Sequence, residues 1–247
     1  MSSYRVADVV TIHLTENGRM IELVLASGSP RRSDILSGLG LRFSVVVPRI
    51  DETPKAGEAP RDYVTRLAVE KAAAVVPPDS GTPSPNPSGI TRPRIVQSTT
   101  DPSHTDPSGT GASGTGRLWI AADTTVVLDD AIVGKPTDAD DAAAILHAMQ
   151  GRTHRVLTGI ALSYCDEATC ALVSSADESM VSIRAMSDEE IAWYVSTGEP
   201  LDKAGAYGLQ GIGSIFVTRV VGHPSNVIGL PIPLLFELMA RLGIRWS

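Results

Sequence analysis

Leu25-Ala26-Ser27-Gly28-Ser29-Pro30-Arg31-Arg32 reads as the end of a strand, a tight turn and the start of a helix. Residues 21–25 are a short apolar run suited to a buried strand, and Ser27-Gly28-Ser29 supplies small residues for the turn. Pro30 fits the first helical position, with Ser29 as N-cap. The first turn of a helix leaves N–H groups unpaired and carries the positive end of the dipole, so it favours an anion. Arg31 and Arg32 add fork-shaped donors that match phosphate oxygens bidentately. The plainer alternative is a capped helix whose arginines are only solvated, and the octet alone does not separate the two.

Outward from this unit the chain alternates strand and helix. Residues 60–76 read as a helix with Tyr63, Val64, Leu67, Ala68, Ala72 and Val75 on one stripe. Strands are expected at 43–47, at 118–128 (apolar enough to be internal), and at 155–162, 171–175 and 179–184. Thr137 reads as the cap of a helix with Asp138, Asp140 and Asp141 in its first turn; Ile145, Leu146 and Met149 point inward and Gly151 ends it. Ser187 and Glu190 form a capping box for a helix ending near Gly198. A Gly-rich loop, a strand at 215–221 and a helix at 233–242 follow. This pattern predicts a twisted mixed α/β sheet flanked by helices, in two lobes.

Between 77 and 117 the composition turns to Ser, Gly, Thr and Pro, which cannot bury enough apolar surface to order itself. The literal G-x-G-x-x-G at Gly109 to Gly114 has no strand before it and no helix after it, so it is no dinucleotide site. The expected organisation is an extension at 1–19 and one domain at 20–247, interrupted by an insertion at about 77–117. With 247 residues, 43% hydrophobic and 20% charged, the chain can bury a sizeable core and has no apolar run of membrane-spanning length. The amino terminus lacks a signal core, so the cytoplasm is expected. A net charge of −7 argues against general nucleic-acid binding, and an acidic protein that binds phosphate must concentrate positive charge locally. Cys165 and Cys170 make neither a disulfide framework nor a zinc pattern and read as bystanders.

Three residues break their local rules. Asp123 sits inside the apolar strand 118–128, where a carboxylate must be bonded, paired or coordinating metal. A structural Asp bonded to a neighbouring loop is the alternative. Lys71 lies four residues from both Leu67 and Val75, within an apolar stripe, unless it snorkels to water. Glu52 follows a predicted strand, with Asp51 as its rival. Gly134-Lys135-Pro136 fixes another lysine in a turn, and 202–213 is a Gly-rich loop that permits close approach to a ligand. The five histidines form no metal or nucleophile pattern.

Taken in order, Ser27 to Arg32, Glu70-Lys71-Ala72, Ala122-Asp123-Thr124, Gly134-Lys135-Pro136, His154 to Gly159 and Asp202 to Gly211 resemble the Maf family of nucleoside triphosphate pyrophosphatases. The resemblance covers residue 21 to the carboxyl end, apart from the insertion. It implies a two-lobed fold with a deep central cleft, similar to inosine triphosphate pyrophosphatases, and a homodimer. It implies hydrolysis of the α–β phosphoanhydride to monophosphate and pyrophosphate, with a divalent cation such as Mg²⁺ or Mn²⁺. Asp123 would be general base or metal ligand, Glu52 a second metal ligand, and Lys71 a further catalytic group. Ser27, Arg31, Arg32, Thr124, Lys135 and Gln210 would bind substrate. The wording of 202–211, with Gln210, resembles the branch acting on dTTP and UTP rather than that acting on N7-methyl-GTP. Modified pyrimidine nucleotides are a further substrate class. The family's link to septum formation supplies the competing reading, a nucleotide-binding regulator of cell division without turnover. No P-loop signature occurs.

Overall fold

The computed structural model describes residues 13–16, 18–77, 116–167 and 169–247. The chain begins with β1 (Leu14–Glu16), β2 (Arg19–Ala26), α1 (Pro30–Gly38), β3 (Ser44–Val45) and α2 (Pro60–Ala73). There follow β4 (Gly116–Leu128), β5 (Ala131–Val133), α3 (Ala139–Met149), β6 (Thr153–Cys165), β7 (Cys170–Ile183) and α4 (Asp188–Ser196). Last come β8 (Val217–Val221), α5 (Pro224–Ile228), α6 (Ile232–Arg241) and β9 (Arg245–Trp246). The strands form one sheet in the order β8-β7-β6-β4-β2-β1-β9, with β3 beside β2 and β5 beside β4. Only β2–β3 and β2–β4 are parallel among these pairings, so the sheet is mixed, as expected.

The two largest apolar cores among the described residues share this one sheet, and they are the physical form of the two lobes. One gathers Leu25, Leu36, Ile120, Ile160, Leu235 and Leu238; the other gathers Val126, Leu146, Met149, Val156, Ile191, Tyr194 and Phe216. The long strands β4 and β6 run through both, so Asp123 to Thr125 fall where the sheet passes from one core to the other.

Helix α2 packs through small residues. Ala26, Ala121 and Ala161 are aligned across β2, β4 and β6, and they meet Ala68 and Ala72 of α2. Gly159, opposite Asp123 in the register, completes this surface: a Cβ there would lie 2.2 Å from the Val64 carbonyl oxygen of α2. Small side chains on both sides let the helix backbone approach the sheet closely.

Several boundaries differ from the sequence reading. The strands expected at 171–175 and 179–184 are one strand, β7, because Ala176, Asp177 and Glu178 stay in register with Gly159, Thr158 and Leu157. Asp138, not Thr137, caps α3: its side chain accepts from Asp141 N–H, while Thr137 bonds Asp141 Oδ2. Ser29 takes the N-cap position without a side-chain bond, its N–H donating to Ser27 Oγ at 3.2 Å. Residues 212–216 form a 3₁₀ turn before β8. Leu14–Glu16, within the stretch read as an extension, pairs with both β2 and β9. Cys165 and Cys170 are not bystanders; they face each other at the end of the β6–β7 hairpin and form a disulfide. The insertion read at 77–117 lies outside the described residues except at its ends, where Gly116 and Arg117 belong to β4.

Gly159→Ala is expected to cost about 3 kcal/mol, at the upper end for overpacking, because the new methyl meets backbone that cannot swing aside. Urea unfolding measures it, and a change within about 0.5 kcal/mol would show that α2 is not held by this contact.

Candidate active site

A cleft of about 630 Å³ opens beside the passage between the two cores. Every residue to which the resemblance gives a site role lines it: Ser27, Arg31, Arg32, Glu52, Lys71, Asp123, Thr124, Lys135 and Gln210. Ser27 to Pro30 bring the first turn of α1 to its wall. Five cations (Arg31, Arg32, Lys71, Lys135, Lys203) face three carboxylates (Glu52, Asp123, Asp202), so an acidic chain presents a locally positive cleft.

At its floor Lys71 Nζ donates to Asp123 Oδ1 at 2.6 Å and lies 2.7 Å from Glu52 Oε1. Lys71 does not reach for solvent; it and Asp123 are 8% and 7% exposed. Burial pushes the Asp123 carboxyl above the usual range, opposed by the charges of Lys71 and Arg32 and reinforced by Glu52. Asp51 and Glu52 now separate. Asp51 accepts from Thr53 N–H and Oγ1 in a local turn, whereas Glu52 points to Lys71. The Glu52 loop is tied to α2: Tyr63 donates to the Glu52 carbonyl, and Arg66 donates to the Thr53 carbonyl and to both Glu58 oxygens.

Arg32 is as much a brace as a ligand. Its Nε donates to the Gly229 carbonyl at 2.8 Å, Nη1 to Ser27 Oγ at 2.9 Å and Nη2 to Thr124 Oγ1 at 3.2 Å. Burial lowers its pKa. Because Thr158 Oγ1 donates to the Asn226 carbonyl, the 3.0 Å contact between Thr124 and Thr158 has Thr124 as donor, which leaves its oxygen to accept from Arg32. Gly229 makes this approach possible, with φ at +122° and a Cβ position 3.2 Å from Thr124 Oγ1. Arg31 instead crosses the cleft to Asp202 at 3.1 Å. Gln210 stands exposed on the cleft wall.

Among the described residues no group of three or more His, Cys, Asp or Glu is placed to hold a metal ion. Glu52 and Asp123 nevertheless converge on one point, held here by an ammonium. Two carboxylates are the protein share of a Mg²⁺ site whose remaining ligands are water and substrate phosphates, so the residues fit such an ion.

Sequence reasoning missed Tyr63 and Tyr207 as cleft residues, and Gly229 as the carbonyl that receives Arg32. Tyr63 lay on an apolar stripe, and nothing in 224–229 breaks a local rule. Tyr207 is placed by buried His154, whose Nε2 lies 2.8 Å from the Tyr207 hydroxyl.

The fold and cleft define a class: an α/β protein whose cation-rich cleft is built round a buried ammonium–carboxylate pair. Within that class the chain belongs to the Maf family, since the profile of the Maf-like protein family matches residues 22–242. It is 41% identical over 230 residues to the dTTP/UTP pyrophosphatase of Shewanella sp. (strain MR-7), covering 91% of this chain and 100% of that protein. With the dTTP/UTP pyrophosphatase of Myxococcus xanthus (strain DK1622) it shares 41% over 223 residues, 90% of this chain and 93% of the relative. That of Dechloromonas aromatica (strain RCB) is 40% identical over 233 residues, 91% and 99% of the two chains.

Burial holds the His154 pKa down at about 4. An unfolded histidine takes a proton below its ordinary 6.5, whereas the folded one resists until about 4, so stability is lost as pH falls through that window. The loss is expected to reach about 3 kcal/mol by pH 4. Urea unfolding at pH 7 and pH 4.5 checks it: His154→Gln removes most of this acid sensitivity, and an undiminished pH slope in the variant contradicts the assignment.

Proposed function

We propose that the chain is a nucleoside triphosphate pyrophosphatase that hydrolyses the α–β phosphoanhydride of dTTP and UTP, releasing the monophosphate and pyrophosphate. The observation that carries this reading is the buried Asp123–Lys71 pair with Glu52 at the floor of a cleft otherwise lined by cations and a helix N-terminus. The names of its relatives supply the nucleotides. A homodimer is part of the same proposal, resting on the family resemblance; among the described residues no helix is long and apolar enough to cross a membrane.

The triphosphate lies against the start of α1, where unpaired N–H groups and Arg31, Lys135 and Lys203 offset its charge. Asp123 and Glu52 would hold a divalent cation, Mg²⁺ or Mn²⁺, whose chemistry is to polarise phosphoryl oxygens and lower the pKa of water. Asp123 would either accept a proton from the attacking water or serve as ligand to the cation that activates it. Lys71 orients both carboxylates and is positioned to offset negative charge in the transition state. Arg32, fixed at three points, keeps Ser27 and Thr124 in place around the phosphates. Gln210 reads the base: uracil and thymine present a carbonyl oxygen beside an N3–H, which a primary amide matches with one donor and one acceptor.

Product analysis with Mg²⁺ or Mn²⁺ tests the reaction: monophosphate and pyrophosphate are expected, and diphosphate plus orthophosphate, or no product, would overturn it. Asp123→Asn is expected to lower turnover at least about 10²-fold while the fold survives, and near-normal activity would leave Asp123 a structural role.

Gln210→Glu presents only acceptors, so UTP and dTTP turnover falls while N7-methyl-GTP is spared, a change in discrimination of about 1–3 kcal/mol. Parallel losses on all triphosphates would show that Gln210 only braces its loop.

A further inference from the structure

Gln210 is exposed and sits on a glycine-rich turn, so its orientation depends on whatever fixes the backbone of 208–213. The Glu199 carboxylate is the centre of that turn. Its Oε1 accepts from Gly213 N–H at 2.9 Å and from the Tyr194 hydroxyl at 3.0 Å, and its Oε2 accepts from Ile212 N–H at 2.8 Å. The Glu199 carbonyl also accepts from Lys203 Nζ at 2.6 Å, and Lys203 bonds Asp202 Oδ1 at 2.7 Å.

The turn closes tightly round this hub. A Cβ on Gly213 would lie 2.4 Å from the Tyr194 hydroxyl and 2.9 Å from the backbone of Gly208. A Cβ on Gly208 would meet Lys203 Cε at 2.8 Å. Gly211, next to Gln210, has φ at +89°, and a Cβ there would lie 2.9 Å from Glu199 Oε2. Both flanks of Gln210 are therefore packed against Glu199 or a group bonded to it. Burial works against ionisation of this carboxylate, but the N–H groups of Gly213 and Ile212, the Tyr194 hydroxyl and Lys203 together hold its pKa below the usual range.

We infer that Glu199 is a positioning residue for base selection: by collecting two adjacent backbone N–H groups just after Gln210 and the Tyr194 hydroxyl of α4 it fixes the backbone that aims Gln210 into the cleft. This rests on the proposed reading of Gln210. A carboxylate offers acceptors only, which suits a hub that receives N–H, N–H and O–H. An amide in its place puts a donor against one backbone N–H, whichever way it is turned.

The test is calorimetric binding of α,β-methylene-UTP, α,β-methylene-CTP and inorganic tripolyphosphate to the full chain, with Mg²⁺ present. CTP exchanges the carbonyl and N3–H of UTP for an amine and an acceptor, and tripolyphosphate has no base. Glu199→Gln is expected to reduce the UTP-to-CTP affinity ratio about fivefold or more, while tripolyphosphate affinity stays within about twofold of wild type. Tyr194→Phe, which removes one donor and keeps the ring, is expected to shift the ratio the same way by a smaller factor and serves if the first variant does not fold. An unchanged ratio in a folded variant overturns the inference. So does a loss of tripolyphosphate affinity equal to that of the UTP analogue, or a wild-type chain that binds the two analogues equally. Failure of the reaction itself shows separately, as absence of UTP hydrolysis by the wild-type chain.

Discussion

The ammonium of Lys71 against the carboxylate of Asp123, both withdrawn from water, is the constraint to which the rest of the structure answers. Neither charge is tolerable alone at that depth. The pair forms only if α2 lies close to the sheet, which explains the alanines facing each other across that interface and the absence of a side chain at Gly159, directly opposite Asp123. Packing and chemistry are thus one requirement. The small residues that let α2 settle also deliver its lysine to the strand-borne acid at the junction of the two cores.

From that pair the cleft is assembled by ties from each side. Tyr63 and Arg66 of α2 hold the loop that carries Glu52. Arg32 of α1 links the turn at Ser27, the strand at Thr124 and the segment ending in Gly229. The cleft collects more cations than carboxylates, although the chain as a whole carries a charge of −7. Long-range repulsion of a polyanion by an acidic protein is screened over about 10 Å, whereas the cations act at contact.

Much of this was legible in the sequence where a residue violated its surroundings. Asp123 in an apolar strand and Lys71 in an apolar stripe each stand out as costly, although nothing local shows that they meet across a separation of 52 positions. The strand, turn and helix start at 21–32 were equally plain, because small residues, Pro30 and two arginines agree. Other features gave no local signal. Asp51 and Glu52 are chemically alike, and only the Asp51 turn with Thr53 separates them. Continuous β7 was hidden by Asp177 and Glu178, which a half-exposed strand tolerates. The Cys165–Cys170 pairing depends on a hairpin register that spacing does not fix. Gly229 acts through its carbonyl and Glu199 through a carboxylate that gathers N–H and O–H donors, and the partners of both are set by tertiary folding.

A double-mutant cycle on unfolding free energy addresses the pair most directly. Lys71→Met should cost about 3–5 kcal/mol, since it leaves Asp123 buried and unpaired, and adding Asp123→Asn in that background should restore most of the loss. Costs that simply add, within about 0.5 kcal/mol, would mean that the two charges do not depend on each other and that the structure is not organised around them.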